Sequence, residues 1–306
     1  MLYFNFEDER VQFGPQQLDL LLQAWRELYP DRSLEQTWFF FDEVQAAPGW
    51  ERFLNRINET LSKKIFPETV NLPSEAIHTV YLQEYYNSML LRDIVEYNQL
   101  SNYSYLRSLY RQAAASIGST ISIRRLHNHL KAHQYNVGIN AVYEAMDMAE
   151  NAYLFKRVSR FDFSDSKREK SDKKIYWLDS GLLNANTAQY GGNKGLLLEN
   201  VVFRELYRQY GNIYAQNIYY AADASSACDF VVYAEGGKPL PVQVCWSLAD
   251  PTTRQRELKG LIKACQYCQV KEGWIIAGDE EEELDIEGVH VTVKAAWKWM
   301  MAEKVK

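Results

Sequence analysis

At 306 residues, with 47% hydrophobic and 24% charged side chains, the chain is long enough for two or more domains with cores of their own. Its net charge of −6 argues against non-specific nucleic-acid binding by the whole surface, and no apolar run approaches the ~20 residues of a membrane span. Four cysteines, Cys228, Cys245, Cys265 and Cys268, are too few for a disulfide scaffold in a chain this long, so reduced thiols, a cytoplasmic setting and no membrane contact are expected.

The opening run Met1-Leu-Tyr-Phe-Asn-Phe6 alternates and meets Glu7-Asp8-Glu9, which predicts a strand ending in an acidic loop. A helix follows over 15–29, with Leu18, Leu21, Leu22, Trp25 and Leu28 on one face. The run Thr37-Trp-Phe-Phe-Phe41 then ends in Asp42 and Glu43. Continuous apolarity marks a strand buried on both faces, as in a parallel sheet. Such a strand delivers its terminal carboxylates to the sheet's carboxyl edge, where α/β folds bind ligands. Another helix is predicted over 50–61.

Phe39 to Gln45 resembles the Walker B element of AAA-type ATPases. Leu2 to Glu9, Asp31 and Phe53 resemble its flanks in a prokaryotic family of such ATPases that carries a C-terminal domain of unassigned function. The resemblance implies that Asp42 holds Mg²⁺ through water and that Glu43 polarises the water attacking ATP. The sequence departs from the family in two places. No Gly-x-x-x-x-Gly-Lys-[Ser/Thr] occurs, so no phosphate loop is present to cradle ATP. Ser62-Lys-Lys-Ile-Phe66, which resembles the opening of the next strand and its sensor residues, breaks at Pro67. Residues 1–66 therefore read as a truncated remnant of a P-loop sheet, in which ATP is expected of the family but hydrolysis is not expected of this chain. The aromatic strand would expose an unpaired edge, which predicts docking on later helices, a protein partner or self-association.

Residues 67–100 read as a helical connector, with Leu82, Tyr85, Tyr86, Met89, Leu90 and Ile94 at helical spacing. Leu82 to Val95 resembles the segment opening the family's C-terminal region, with Arg92 and Asp93 as a structural pair. Residues 101–174 read as three helices and a hairpin, the outline of a winged helix. This stretch is basic in an acidic protein: eleven Lys/Arg stand against seven Asp/Glu between Ile121 and Lys174. In winged helices the third helix commonly enters the major groove. Here it carries Glu144, Asp147 and Glu150 and no Lys or Arg, which counts against base reading. Lys167, Arg168 and Lys170, in the polar loop 164–171 of the hairpin, remain as candidates for DNA phosphate contact. His127, His129 and His133 mostly face different sides of their helix and are not expected to bind metal.

Residues 175–306 alternate strands and helices, an α/β core. The helix over 196–207 carries Glu199 among its apolar positions; the strands Cys228–Tyr233 and Leu240–Trp246 follow, joined by a Gly-Gly turn. Beyond them come a helix over 253–266, a strand over 273–277, an acidic loop over 279–283, a strand over 289–293 and a closing helix. Helix, strand, turn, strand with an acid on the helix, an Asp on the first strand and Glu/Gln-x-Lys on the second resembles the restriction-nuclease-like fold. The matches are Glu199, Asp229 and Gln243, and the resemblance implies a Mg²⁺ held by Asp229 and Glu199. Cys245 stands where the motif lysine belongs, and a thiol cannot stabilise phosphorane charge as an ammonium does. The fold class expected is mixed α/β: a P-loop sheet remnant, a winged-helix module and a nuclease-like domain. The function expected is a non-catalytic DNA- or protein-binding module; a metal-dependent nuclease, or an ATPase completed from elsewhere, is the alternative.

Overall fold

The computed structural model of the protein describes residues 2–6, 18–30, 39–42, 44, 47, 50, 75–186, 193–211, 217–223, 226–233 and 237–301. It is mixed α/β, and the chain divides into two units, 1–74 and 75–306.

In the first unit, β1 (Leu2–Asn5), α1 (Leu18–Leu28) and β2 (Phe39–Asp42) make a βαβ turn of chain. The strands are parallel, in register from Leu2 against Phe39 to Asn5 against Asp42. A parallel pair needs a crossover, and α1 provides it with its apolar face inward. Phe6, Leu18, Leu21 and Ala47 are buried together, with Phe4 and Phe41 packed against them. The Phe6 ring meets those of Phe4 and Phe41 edge-on at 5.0 and 5.6 Å. Glu43 and the helix predicted over 50–61 lie outside the described residues.

The second unit opens with α2 (Glu75–Ser88), which continues as a π-helical segment over Met89–Glu96. Its wider hydrogen bonds include Tyr97 N–H to the Arg92 carbonyl and Leu100 N–H to the Val95 carbonyl, both 3.0 Å. Arg92 and Asp93 form the expected pair, Nε to Oδ1 at 3.1 Å. Next come α3 (Leu106–Ala115), β3 (Thr120–Ile121), α4 (Ile123–Ala132), α5 (Ile139–Asn151), β4 (Phe155–Ser159), α6 (Asp165–Lys170) and β5 (Lys173–Trp177). Ser122 caps α4 by accepting from Arg125 N–H. The strands form an antiparallel sheet of order β3-β5-β4. Two of the acids on α5, Asp147 and Glu150, are held by Arg157 of β4, whose Nε lies 2.7 Å from Glu150 Oε2. The acidic face of that helix is thus partly an internal contact.

The remaining chain runs α7 (Ser180–Asn186), α8 (Lys194–Tyr210), β6 (Ile218–Ala222), β7 (Ala227–Tyr233), β8 (Pro239–Cys245), α9 (Pro251–Cys268), β9 (Glu272–Ala277), β10 (Glu282–Ile286), β11 (Val289–Ala295) and α10 (Ala296–Met301). Its six-stranded sheet has the order β10-β11-β9-β8-β7-β6, parallel across β8, β9 and β11 and antiparallel elsewhere. A bridge between Arg160 and Tyr220, with Phe161 N–H on the Tyr220 carbonyl at 2.7 Å, ties the chain after β4 to β6.

Two local expectations are corrected. The polar loop predicted over 164–171 contains α6, a largely exposed helix with no buried side chain to signal it. The acidic loop predicted over 279–283 runs into β10, where Glu282, Leu284 and Ile286 alternate with the more exposed Glu283 and Asp285. Neither α7 nor β6 was predicted. The division expected after residue 174 falls inside β5.

Candidate functional site

The site starts from one asparagine. On α8, Asn200 is fully buried beside Glu199. Its Oδ1 accepts from Trp177 N–H at 2.8 Å, while its Nδ2 donates to the Trp177 carbonyl at 3.0 Å and to Ser180 Oγ at 3.1 Å. The side-chain amide thus satisfies the end of β5 as a neighbouring strand would. This fixes α8 against β5 and brings Glu199 to Tyr176 and Lys174, which share a face because they are two residues apart. Against this same face of α8, Gly118 has φ +72°, and a Cβ there would lie 2.3 Å from Leu196 Cδ2 and 3.2 Å from Glu199 Oε2. Only glycine allows both that backbone and that approach.

Glu199 Oε1 accepts from Tyr176 OH at 2.6 Å and from Lys174 Nζ at 3.1 Å. The same ammonium donates to Asp229 Oδ1 at 3.1 Å. Asp229 stands where β7 and β8 part: their ladder pairs Phe230 with Val242, and side chains replace backbone bonds beyond it. Asp229 Oδ2 accepts from Val244 N–H at 3.1 Å, and Gln243 Oε1 accepts from Asp229 N–H at 3.2 Å. Gln243 Nε2 donates in turn to Glu257 of α9, whose other oxygen accepts from Arg256 Nε at 3.0 Å. With exposures of 5% for Lys174, 8% for Glu199, 5% for Gln243 and 6% for Glu257, these groups have little water to fall back on, so the network must satisfy them.

The electrostatics follow from that burial. Burial alone would lower the Lys174 pKa, but Asp229 and Glu199 more than offset it and hold the group above a free lysine. Burial and the Asp229 charge raise the Glu199 pKa against the opposing influence of Lys174 and Tyr176. Burial and the two carboxylates push the Tyr176 phenol well above its ordinary value. Cys245 is held above the ordinary thiol range by burial, and its Sγ donates to the Ser247 carbonyl at 3.0 Å, so it is no substitute for a cation.

A cleft of about 930 Å³ opens beside this network, lined by Glu199, Asp229, Gln243 and Cys245 together with Arg256 and Glu257. At its edge Lys194 Nζ sits 5.0 Å from the centre of the exposed Trp246 ring. The four residues expected as a nuclease-like set are therefore brought to one place. Lys174, Tyr176, Asn200 and Glu257 were not foreseen. Alternation marks the first two on one strand face, and a polar Glu-Asn pair inside an apolar helix marks the third, but nothing local links them to Asp229.

The other predicted residues lie elsewhere. Asp42 ends β2 opposite Asn5. On α6, Lys167 is exposed and lies 3.9 Å from Asp162, Arg168 pairs with Asp165 and lies 5.2 Å from the centre of the Tyr219 ring, and Lys170 faces solvent. Lys173 Nζ donates to the Arg168 and Glu169 carbonyls at 2.8 and 2.9 Å, closing the end of that helix. Of the α4 histidines, His127 meets the Val137 carbonyl and His129 meets Ser108 Oγ, whereas His133 meets the His129 carbonyl and its ring lies 4.3 Å from the His129 ring, so these two share a face of the helix, contrary to expectation. All four cysteines are free and buried. Among the described residues no group of three or more His, Cys, Asp or Glu converges on one ion position, and no helix is long and apolar enough to cross a membrane.

Three family models match parts of this chain: an AAA domain over residues 1–70, a domain of unknown function (DUF8612) over 55–190 and a domain of unknown function (DUF4143) over 194–296. The chain is 24% identical to the uncharacterized protein MJ1544 of Methanocaldococcus jannaschii over 379 aligned residues, covering 98% of this chain and 82% of that one. It is 21% identical to an uncharacterized protein of Haemophilus influenzae over 359 residues, covering 97% of this chain and 86% of that one. Both alignments are longer than the 306 residues of this chain, so each relative carries residues within the matched span that are missing here. No solved structure matches. These matches fit an AAA-type, ATPase-like protein with a C-terminal domain of unknown function.

Proposed function

We propose that this AAA-like chain is a nucleic-acid-binding protein whose C-terminal part uses a nuclease-like scaffold to bind without cutting. The convergence of Glu199, Asp229 and Gln243 from a helix and two adjacent strands supports the nuclease-like reading. The order of helices and hairpin over 101–177 supports a winged-helix reading, with Lys167 and Lys170 in reach of phosphate. Lys167, Arg168 and Lys170 serve here as positioning contacts, which carry no sequence information.

The observation that carries the proposal is the Lys174 ammonium between the two acids, 3.1 Å from an oxygen of each. Mg²⁺ demands near-octahedral oxygens at about 2.0–2.1 Å and keeps several waters. Here one cation already lies against both carboxylates, Tyr176 takes the same Glu199 oxygen, and Gln243 spends its carbonyl on the Asp229 N–H. The acid pair in this arrangement does not fit a metal. It is an internal ion cluster that holds β5, α8 and β7 together.

The test is incubation of the purified protein with plasmid and oligonucleotide DNA in Mg²⁺ or Mn²⁺, beside binding titrations at several salt concentrations. Salt-sensitive binding without cleavage is expected, with the dependence on salt weakening by about one counterion for each of Lys167→Ala and Lys170→Ala. Metal-dependent cleavage that vanishes in Asp229→Ala would overturn the proposal and make Lys174 the displaced motif lysine. Absence of any DNA or RNA binding would overturn it as well.

A further inference from the structure

A second cavity lies where the chain after β4 meets β6, β7 and α9. It encloses about 190 Å³. Its floor is made of small residues because α9 lies very close to β7: a Cβ at Gly260 would stand 2.3 Å from the Ala227 carbonyl oxygen. Ala221 and Ala264 complete that floor. One wall is aromatic. The buried Phe161 packs edge-on against Phe163 at 5.3 Å and Tyr267 at 6.0 Å. The outer two rings remain open to solvent, Phe163 at 60% and Tyr267 at 47% exposure, at 5.8 Å from each other.

The rim is polar and carries both signs. Asp162 and Asp223 present carboxylates, Ser226 a hydroxyl, and Arg160 and Lys263 cations. Asp223 accepts from Ser226 N–H at 2.7 Å and lies 3.6 Å from Lys263, so the acceptors are held in place. The Arg160 guanidinium forms no ion pair among the described residues, and the exposed Lys167 and Lys170 of α6 extend the cationic side.

A flat ring that stacks on Tyr267, donors on its edge for the carboxylates and an anionic chain for the cations describe one ligand chemistry. The volume is below the range of about 300–1,000 Å³ of drug-sized sites, which suits a single ring system. A duplex keeps its bases stacked, whereas a single strand offers them freely. We infer that this cavity seats one unstacked base of a single-stranded nucleic acid against Tyr267, with the adjoining phosphates on Arg160 and Lys263. The inference rests on the nucleic-acid-binding reading and adds the form of nucleic acid and its seat, away from the Glu199 cleft.

The experiment uses the full chain in EDTA with a fluorescent mixed-sequence single-stranded dodecamer carrying one 2-aminopurine, and the matching duplex as competitor. Wild type is expected to prefer the single strand and to quench the 2-aminopurine on binding. Tyr267→Ala should weaken binding by about tenfold or more and abolish the quench, while Tyr267→Phe should keep both, since stacking is a property of the ring. Arg160→Gln should weaken binding and flatten its salt dependence. Both positions are exposed enough for the variants to fold, which a thermal melt checks. Unchanged binding in Tyr267→Ala and Arg160→Gln would overturn the inference while leaving the binding reading intact. Equal competition by the duplex would also overturn it. Failure of wild type to bind any nucleic acid would remove both.

Discussion

Replacing Lys174 by methionine keeps most of the side-chain length and deletes the charge, leaving Glu199 and Asp229 facing each other in a nearly dry site. Removing one partner of a buried ion pair typically costs about 3–5 kcal/mol, mainly through the charge left behind. In a unit of this size each kcal/mol moves Tm by about 2–4 °C, so a drop of about 6–20 °C is expected by calorimetry or circular dichroism. The loss should depend on pH. The folded Glu199 pKa lies above its ordinary value of 4.5, so its contribution is complete below that value and is lost as pH rises through the folded pKa. Lys174 is one of the influences that lower it, and the variant removes that influence. The gap between Lys174→Met and wild type should therefore widen from pH 5 to pH 8. In a double-mutant cycle, Glu199→Gln should recover part of the loss, because a neutral amide oxygen can still accept from Tyr176. A Tm change under 2 °C, or a penalty independent of pH, would refute the claim that the cluster is a buried, mutually dependent set of charges.

Asn200→Ala should cost about 2–4 kcal/mol in urea unfolding, since it strands the Trp177 N–H and carbonyl as well as Ser180. Gly118→Ala combines a positive φ with a collision on Leu196 and should destabilise by about 1–3 kcal/mol, with the change felt at Glu199. Glu280 accepts from Ser247 Oγ at 2.7 Å and Leu248 N–H at 3.0 Å. Although burial opposes it, these bonds hold the Glu280 pKa below 4.5, so the stability it lends is present above that value and lost as pH falls. Acid titration followed by Trp246 fluorescence should show the 246–249 loop loosening only as pH falls below 4.5, and Glu280→Gln should remove that acid-sensitive phase. Cys228, Cys265 and Cys268 are buried with raised pKa values, the latter two at about 12, so Ellman's reagent should label them only on unfolding.

Much of this fold could be read locally. The 3.6-residue period of Leu106–Ala115, the Ser122 cap and the β-branched runs around Asp229 and Gln243 are short-range signals, and the helices and strands lie there. The convergence of Glu199, Asp229 and Gln243 followed from their order on helix and strands. Lys174 could not be read this way. It lies 55 residues from Asp229 in sequence and belongs to a different sheet, so only the packing of β5 on α8 reveals it. Short elements were hidden for another reason: Glu282–Ile286 is a strand whose acids mask its alternation, and Asp165–Lys170 is a helix with no apolar face.

The bridge from Arg160 to Tyr220 has a consequence for how this protein can be divided or inherited. It covers part of the outer side of β6, which would otherwise present open backbone groups at the end of the six-stranded sheet. With Lys174 reaching across the same seam, the hairpin lends the sheet both its edge protection and the countercharge for its buried acids. A fragment starting at residue 175 would break β5 in two, bare that edge and leave the acids uncompensated. Hydrogen exchange should find β4, β5 and β6 opening together, and gene fusions that respect the seam should be the ones that express as soluble protein.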